Sequence, residues 1–159
     1  MEGKTRSRQR RMSESRDKMI EVLRRVVVPT LRDMGFTGSF PHFRRVHDTQ
    51  IDLLAFQFNR WGGSFVVEVA FCEPAGWTDR SGRHVPPQQV RVHDITPKQR
   101  LRVGSHPPEQ ADHWFRFEAD SDSVYTDTAL EALSLLRSQG EDFWRTHKPA
   151  MVSDPPWPH

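Results

Sequence analysis

The chain has 159 residues and a formal net charge of +2, which fits one domain with a substantial core. No run of about 18 apolar residues is present, excluding a helical membrane span, and the charged N-terminus lacks the apolar segment of a secretory signal. Cys72 is the only cysteine, so no internal disulfide forms, which suits a cytoplasmic protein.

The charge is unevenly placed. Residues 1–12 hold Lys4, Arg6, Arg8, Arg10 and Arg11 against Glu2, while the remainder is mildly acidic. Residues 1–13 lack apolar periodicity and read as a disordered basic arm, residues 14–146 as a single domain, and residues 147–159 as a Pro-rich tail.

A first helix is expected from Glu14 to Met34, capped by Ser13 or Ser15. Met19, Ile20, Leu23, Val26, Val27, Leu31 and Met34 follow the three–four spacing of one buried face. Pro29 has no N–H to donate and should kink or split this helix. Gly35 supplies the positive φ that commonly ends one.

Three strands follow, one centred on Phe43, then Ile51 to Asn59 and Phe65 to Cys72. In the second, Ile51, Leu53 and Ala55 alternate with Asp52, Leu54, Phe56 and Phe58. Both faces are largely apolar, the pattern of a central strand covered on both sides. Gly62-Gly63 suits the hairpin to the third strand and places Trp61 at its tip. Cys72, ending an apolar strand, reads as a small buried residue.

Residues 73–99 read as a long loop, interrupted by a short strand at Val90-Arg91-Val92. Arg100 to Val103 and His113 to Phe117 read as further strands. A last helix is expected from Thr128, with Thr128 and Glu131 as a capping box. Ala129, Leu130, Leu133, Leu136, Phe143 and Trp144 form its stripe, and Gly140 bends it or ends its first part. The fold class is therefore α+β, an antiparallel meander of about five strands with an N-terminal and a C-terminal helix packed on one face.

The order Leu31-x-x-x-Gly35-Phe36, Phe43-x-Arg45, Phe56-Gln57-Phe58, Phe65-x-Val67, Arg102-Val103-Gly104 and Asp112-x-Trp114-Phe115 resembles a bacterial domain-of-unknown-function family, number four-three-zero-four, over residues 20–145. The resemblance implies a small α+β domain and assigns no activity or catalytic residue. Where the family often carries a polar residue and glycine after the third-strand valine, this chain has Glu68-Val69-Ala70.

Chemistry is sparse. His84, His93, His106 and His113 are 9, 13 and 7 residues apart, unlike zinc-ligand pairs, and the only close pairs are His42 with His47 and His93 with Asp94. No metal or cofactor is expected. No nucleophile elbow is present, and nothing in the sequence positions a histidine against Cys72. Glu118, Asp120 and Asp122 read as a solvated turn, and Trp61-Gly62-Gly63-Ser64 lies between strands rather than before a helix, so it is no phosphate cradle.

Three functional readings remain. The first is a non-enzymatic protein-interaction module, in keeping with a bacterial immunity role. Its partner would meet Trp61, the loop residues Trp77, Arg80, Arg83 and His84, and the Arg100, Arg102 and Trp114 face. The second is a nucleic-acid-associated protein using Arg6, Arg8, Arg10 and Arg11. The third is an enzyme with a site under loop 73–99 built from His84, His93 and Asp94.

Overall fold

The computed structural model describes residues 2–105, 113–118 and 121–147. His106, Asp112, Asp120 and the Pro-rich stretch from residue 148 onward lie outside the described residues.

Helix α1 spans Glu2–Val26 and α2 spans Val28–Asp33, separated at Val27. The split is the one Pro29 imposes, since it sits at the start of α2 without an N–H for the preceding turn. Leu31 accepts from the Phe36 N–H across Gly35, whose φ of 98° closes the helix end. The expected disorder of residues 1–13 is corrected: the helix runs through them from Glu2, and Ser13 and Ser15 lie in its interior. Arginine, glutamine, methionine and glutamate favour helix on propensity alone, without an apolar stripe. Two tertiary contacts add to this, from Met12 beneath Gly62 and from Ser15 to the Tyr125 hydroxyl at 3.0 Å.

The main sheet is antiparallel. β1 (Thr37–Ser39) pairs with β2 (His42–Val46), β2 with β3 (Ile51–Phe58) and β3 with β4 (Ser64–Cys72). The strand expected around Phe43 is thus a short hairpin. β5 (Trp77–Thr78) and β6 (His84–Val85) form a separate two-stranded ribbon. β7 (Arg100–Arg102) and β8 (Phe115–Arg116) share the outer edge of β4, β7 opposite Glu68–Ala70 and β8 opposite Ser64–Phe65.

The last helix begins earlier than expected. α3 spans Ser123–Leu135, passes through a π-helical turn at Leu136–Gly140, and continues as α4, Glu141–Thr146. Thr128 does not cap it. Its buried hydroxyl lies within α3 and donates to the Arg116 carbonyl at 2.9 Å, tying the helix to β8.

The sheet is buried on both faces, and the two faces are covered differently. On one, Met19, Leu23, Val27 and Leu31 meet Leu54, Phe56, Phe65, Val67 and Val69, with Ala129, Leu133, Leu136, Phe143 and Trp144 completing the core. On the other, Ile51, Leu53, Ala55, Ala70 and Cys72 pack under Val90, Val92 and Ile95. The segment read as a loop is therefore the second cover of the sheet. The expected strand at Val90–Val92 is instead an extended stretch leading into a 3-10 turn at Val92–Asp94. Its three apolar residues reach the sheet from irregular backbone, so no periodicity marks them.

Candidate functional site

The turn from β3 to β4 is rigidly built. The Asn59 N–H donates to the Ser64 carbonyl and the Gly62 N–H to the Asn59 carbonyl, while Asn59 Oδ1 accepts from the Trp61 N–H at 2.9 Å. Gly62 and Gly63 hold φ values of 90° and 78°, a conformation that side chains resist. A Cβ on Gly62 would lie 3.0 Å from the Met12 side chain, so the turn rests directly on α1. Arg16 Nη2 reaches the Asn59 carbonyl at 3.4 Å.

This bracing holds Trp61 outward with 69% of its surface exposed, the most exposed large apolar side chain among the described residues. The Arg60 guanidinium lies 4.5 Å from its ring centroid, a cation–π contact. Beside the turn, Arg8 and Arg11 line a groove of about 680 Å³ between α1 and the start of α3, with Tyr125 and Glu118 on its other wall. The surface is thus an exposed indole on a basic ridge, built from the β3–β4 turn and α1. Arg6 and Arg10 are exposed on the same helix.

The other expected contact residues lie elsewhere. Trp77 is half-buried and packs against the second core, and its Nε1 has no hydrogen-bond partner among the described residues. Arg80 and Arg83 are exposed around the β5–β6 turn, where Asp79 Oδ1 accepts from the Ser81 and Arg83 N–H groups. His84 Nδ1 pairs with the Thr78 hydroxyl at 2.8 Å. Arg100 and Arg102 both bind Glu68, which is 5% exposed, and Arg100 also donates to the Ile95 carbonyl at 2.6 Å and the His93 carbonyl at 2.8 Å. Those two arginines fasten β7 and the covering segment to β4. Trp114 is half-buried just before β8. The structure therefore does not bring the eight residues into one surface.

Nor does it gather the residues of the enzymatic reading. His84 lines a cavity with Cys72 and Trp77, whereas Asp94 lines a different one with His42. Cys72 is 4% exposed, and its burial pushes the thiol pKa up from 9.0 to about 11, so it stays protonated near neutral pH. Among the described residues, no three His, Cys, Asp or Glu side chains converge as metal ligands, and no helix is long and apolar enough to cross a membrane.

Sequence reasoning missed a buried polar cluster. Asp52 is 1% exposed and accepts from Arg45 Nε at 2.9 Å and Gln50 Nε2 at 2.5 Å, with His47 Nε2 at 2.8 Å. Arg45 also forks onto Glu141 at 2.8 and 3.0 Å and stacks against Phe36 and Trp144. Burial works against the Arg45 charge, but the bonds to Glu141 and Asp52 outweigh it, so its pKa is raised. The signal was available: Asp52 is a charged residue on a covered face of a central strand.

The model of the family described as "Domain of unknown function (DUF4304)" matches residues 27–145. The chain belongs to the DUF4304 family. The match begins at the break between α1 and α2 and ends in α4. In this DUF4304 protein Trp61 lies inside the matched region, and the arginines of α1 lie outside it. No curated protein and no solved structure matches the chain.

Proposed function

We propose that this DUF4304 domain is a protein-binding module whose contact surface is centred on Trp61 and flanked by Arg8, Arg11 and Arg60. The observation that carries the reading is the exposed indole on a turn braced against α1. A tryptophan side chain has only two rotatable bonds, so it loses little freedom on binding while burying much area, and arginine adds a planar fork of donors; both are enriched among interface hot spots. The ridge is basic, so the partner surface it suits is acidic. The acidic residues of the main sheet, Asp52 and Glu68, are engaged with arginines of the same domain.

A photo-crosslinking residue at position 61, introduced in the native host, tests this. A specific protein adduct is expected, lost when Arg8 and Arg11 are both changed to Glu. The same adduct from position 130, also exposed but on α3, or an adduct indifferent to the double change, overturns it.

The helical display of Arg8 and Arg11 beside an aromatic favours a second reading, single-stranded nucleic acid. Phosphate contacts make affinity fall steeply with salt. Binding of single-stranded RNA or DNA at low salt that disappears on changing Arg8 and Arg11 would select this reading over the first, and no binding at low salt removes it.

A further inference from the structure

The second face of the sheet is incompletely covered. Arg44 donates from Nη2 to the Val90 carbonyl at 2.8 Å and from Nη1 to the Pro87 carbonyl, drawing the covering segment down over β2. Toward the β1–β2 hairpin that segment stands off, leaving a cleft of about 650 Å³ between the hairpin and residues 83–94. Its size falls within the ~300–1,000 Å³ range of small-ligand clefts.

The cleft is lined by polar and basic groups. Arg83 and Arg91 stand on the covering segment, and Arg44 lines it from β2. The acidic residue there is Asp94, whose Oδ2 already accepts from the Arg91 N–H at 2.9 Å. On the hairpin side lies His42, and the His93 ring meets it edge-on at 5.8 Å between centroids. His42 Nδ1 is buried and has no hydrogen-bond partner among the described residues. The His42 pKa is lowered, first by burial and then by Arg91 and His93, with Asp94 opposing. That balance marks a positive field at the ring. A cation is disfavoured by this field. An anion is favoured by it.

We propose that this cleft binds a small ligand bearing an oxyanion, phosphate or carboxylate, with Arg83 and Arg91 taking the charge beside the His42 ring. Guanidinium pairs match both anions in a forked geometry. The site is separate from the Trp61 surface and does not depend on it.

Histidine-labelled protein tests the assignment at neutral pH, with ring ¹⁵N resonances followed during titration and ionic strength held constant with chloride. Inorganic phosphate and citrate form the two arms and separate the two sources of oxyanion. A saturable shift of the His42 ring nitrogens is expected in at least one arm, with His84 unmoved. Arg83→Ala and Arg91→Ala are each expected to weaken it by about tenfold, the effect of losing one charge-assisted hydrogen bond. Both side chains are exposed, and an unchanged thermal midpoint verifies folding. No saturable shift in either arm, or undiminished binding in the double variant, overturns the proposal.

Discussion

Replacing Asp52 by alanine removes the acceptor that joins three parts of the fold. Its carboxylate holds Arg45 of β2, Gln50 and His47 of the β2–β3 turn, and through Arg45 and Gln50 it reaches α4 at Glu141 and the Trp144 carbonyl. The His47 bond is half-exposed and contributes little. The Arg45 and Gln50 bonds are buried. The substitution leaves Arg45 Nε and one Gln50 donor unpaired, while Arg45 keeps Glu141 and the Met34 carbonyl. Breaking one side of a buried ion pair costs about 3–5 kcal/mol. The retained Glu141 contact places this case near the lower end, about 3 kcal/mol. Unfolding free energies are about 5–15 kcal/mol, and at this chain length each kcal/mol moves the midpoint by about 2–4 °C. A fall of roughly 6–12 °C is expected, with a lower urea midpoint and an unchanged slope. Glu141→Gln is the internal comparison. Glu141 is 37% exposed, so its loss should cost about 1 kcal/mol. If Asp52→Ala costs less than about 1 kcal/mol, or no more than Glu141→Gln, the buried-pair reasoning fails.

Trp61→Ala should leave stability within about 0.5 kcal/mol of the parent, whereas Trp77→Ala should lose about 2–3 kcal/mol, because only Trp77 packs on a core; equal urea midpoints would contradict this. Burial raises the Cys72 pKa from 9.0 to about 11, so the unfolded thiol ionises first. The stability from keeping it neutral is present below pH 9 and lost as pH rises toward 11, an effect on the order of 2 kcal/mol that Cys72→Ala should abolish when unfolding is followed across that window. His42, flanked by Arg91, His93 and Asp94, has a lowered folded pKa. Its contribution is complete above pH 6.5 and declines as pH falls below that value. Ring titration by NMR should place His42 below 6.5, and Asp94→Asn should move it lower still; an unchanged value on that substitution would show that Asp94 does not act on it.

Much of the scaffold was legible because its signals are local. Pro29 lacks an N–H, so the helix broke beside it; Gly35 tolerates positive φ, so the helix ended there; the strict alternation from Ile51 to Phe58 assigned each side chain to a face. The signal failed where conformation is set by distant partners. Residues 2–13 carry no apolar stripe, yet they continue α1. Thr128 and Glu131 matched a cap motif, but Thr128 binds Arg116 across the fold instead. Of the expected contact residues, Trp61 was correctly placed at its turn by the glycine pair. Arg100 and Arg102 looked like a basic face, and their engagement by Glu68 was invisible because the pairing strand lies more than thirty residues away.

By itself, the sequence determined the α+β class, the antiparallel order of the central strands and which side chains face inward, because spacing, proline and glycine act within a few residues of chain. Tertiary structure alone decided that residues 77–95 pack over the second face of the sheet, that Asp52 and Glu68 are buried with arginine partners, and that His42, Arg83 and Arg91 share a cleft. Those outcomes depend on contacts between residues far apart in the chain, for which linear spacing holds no record.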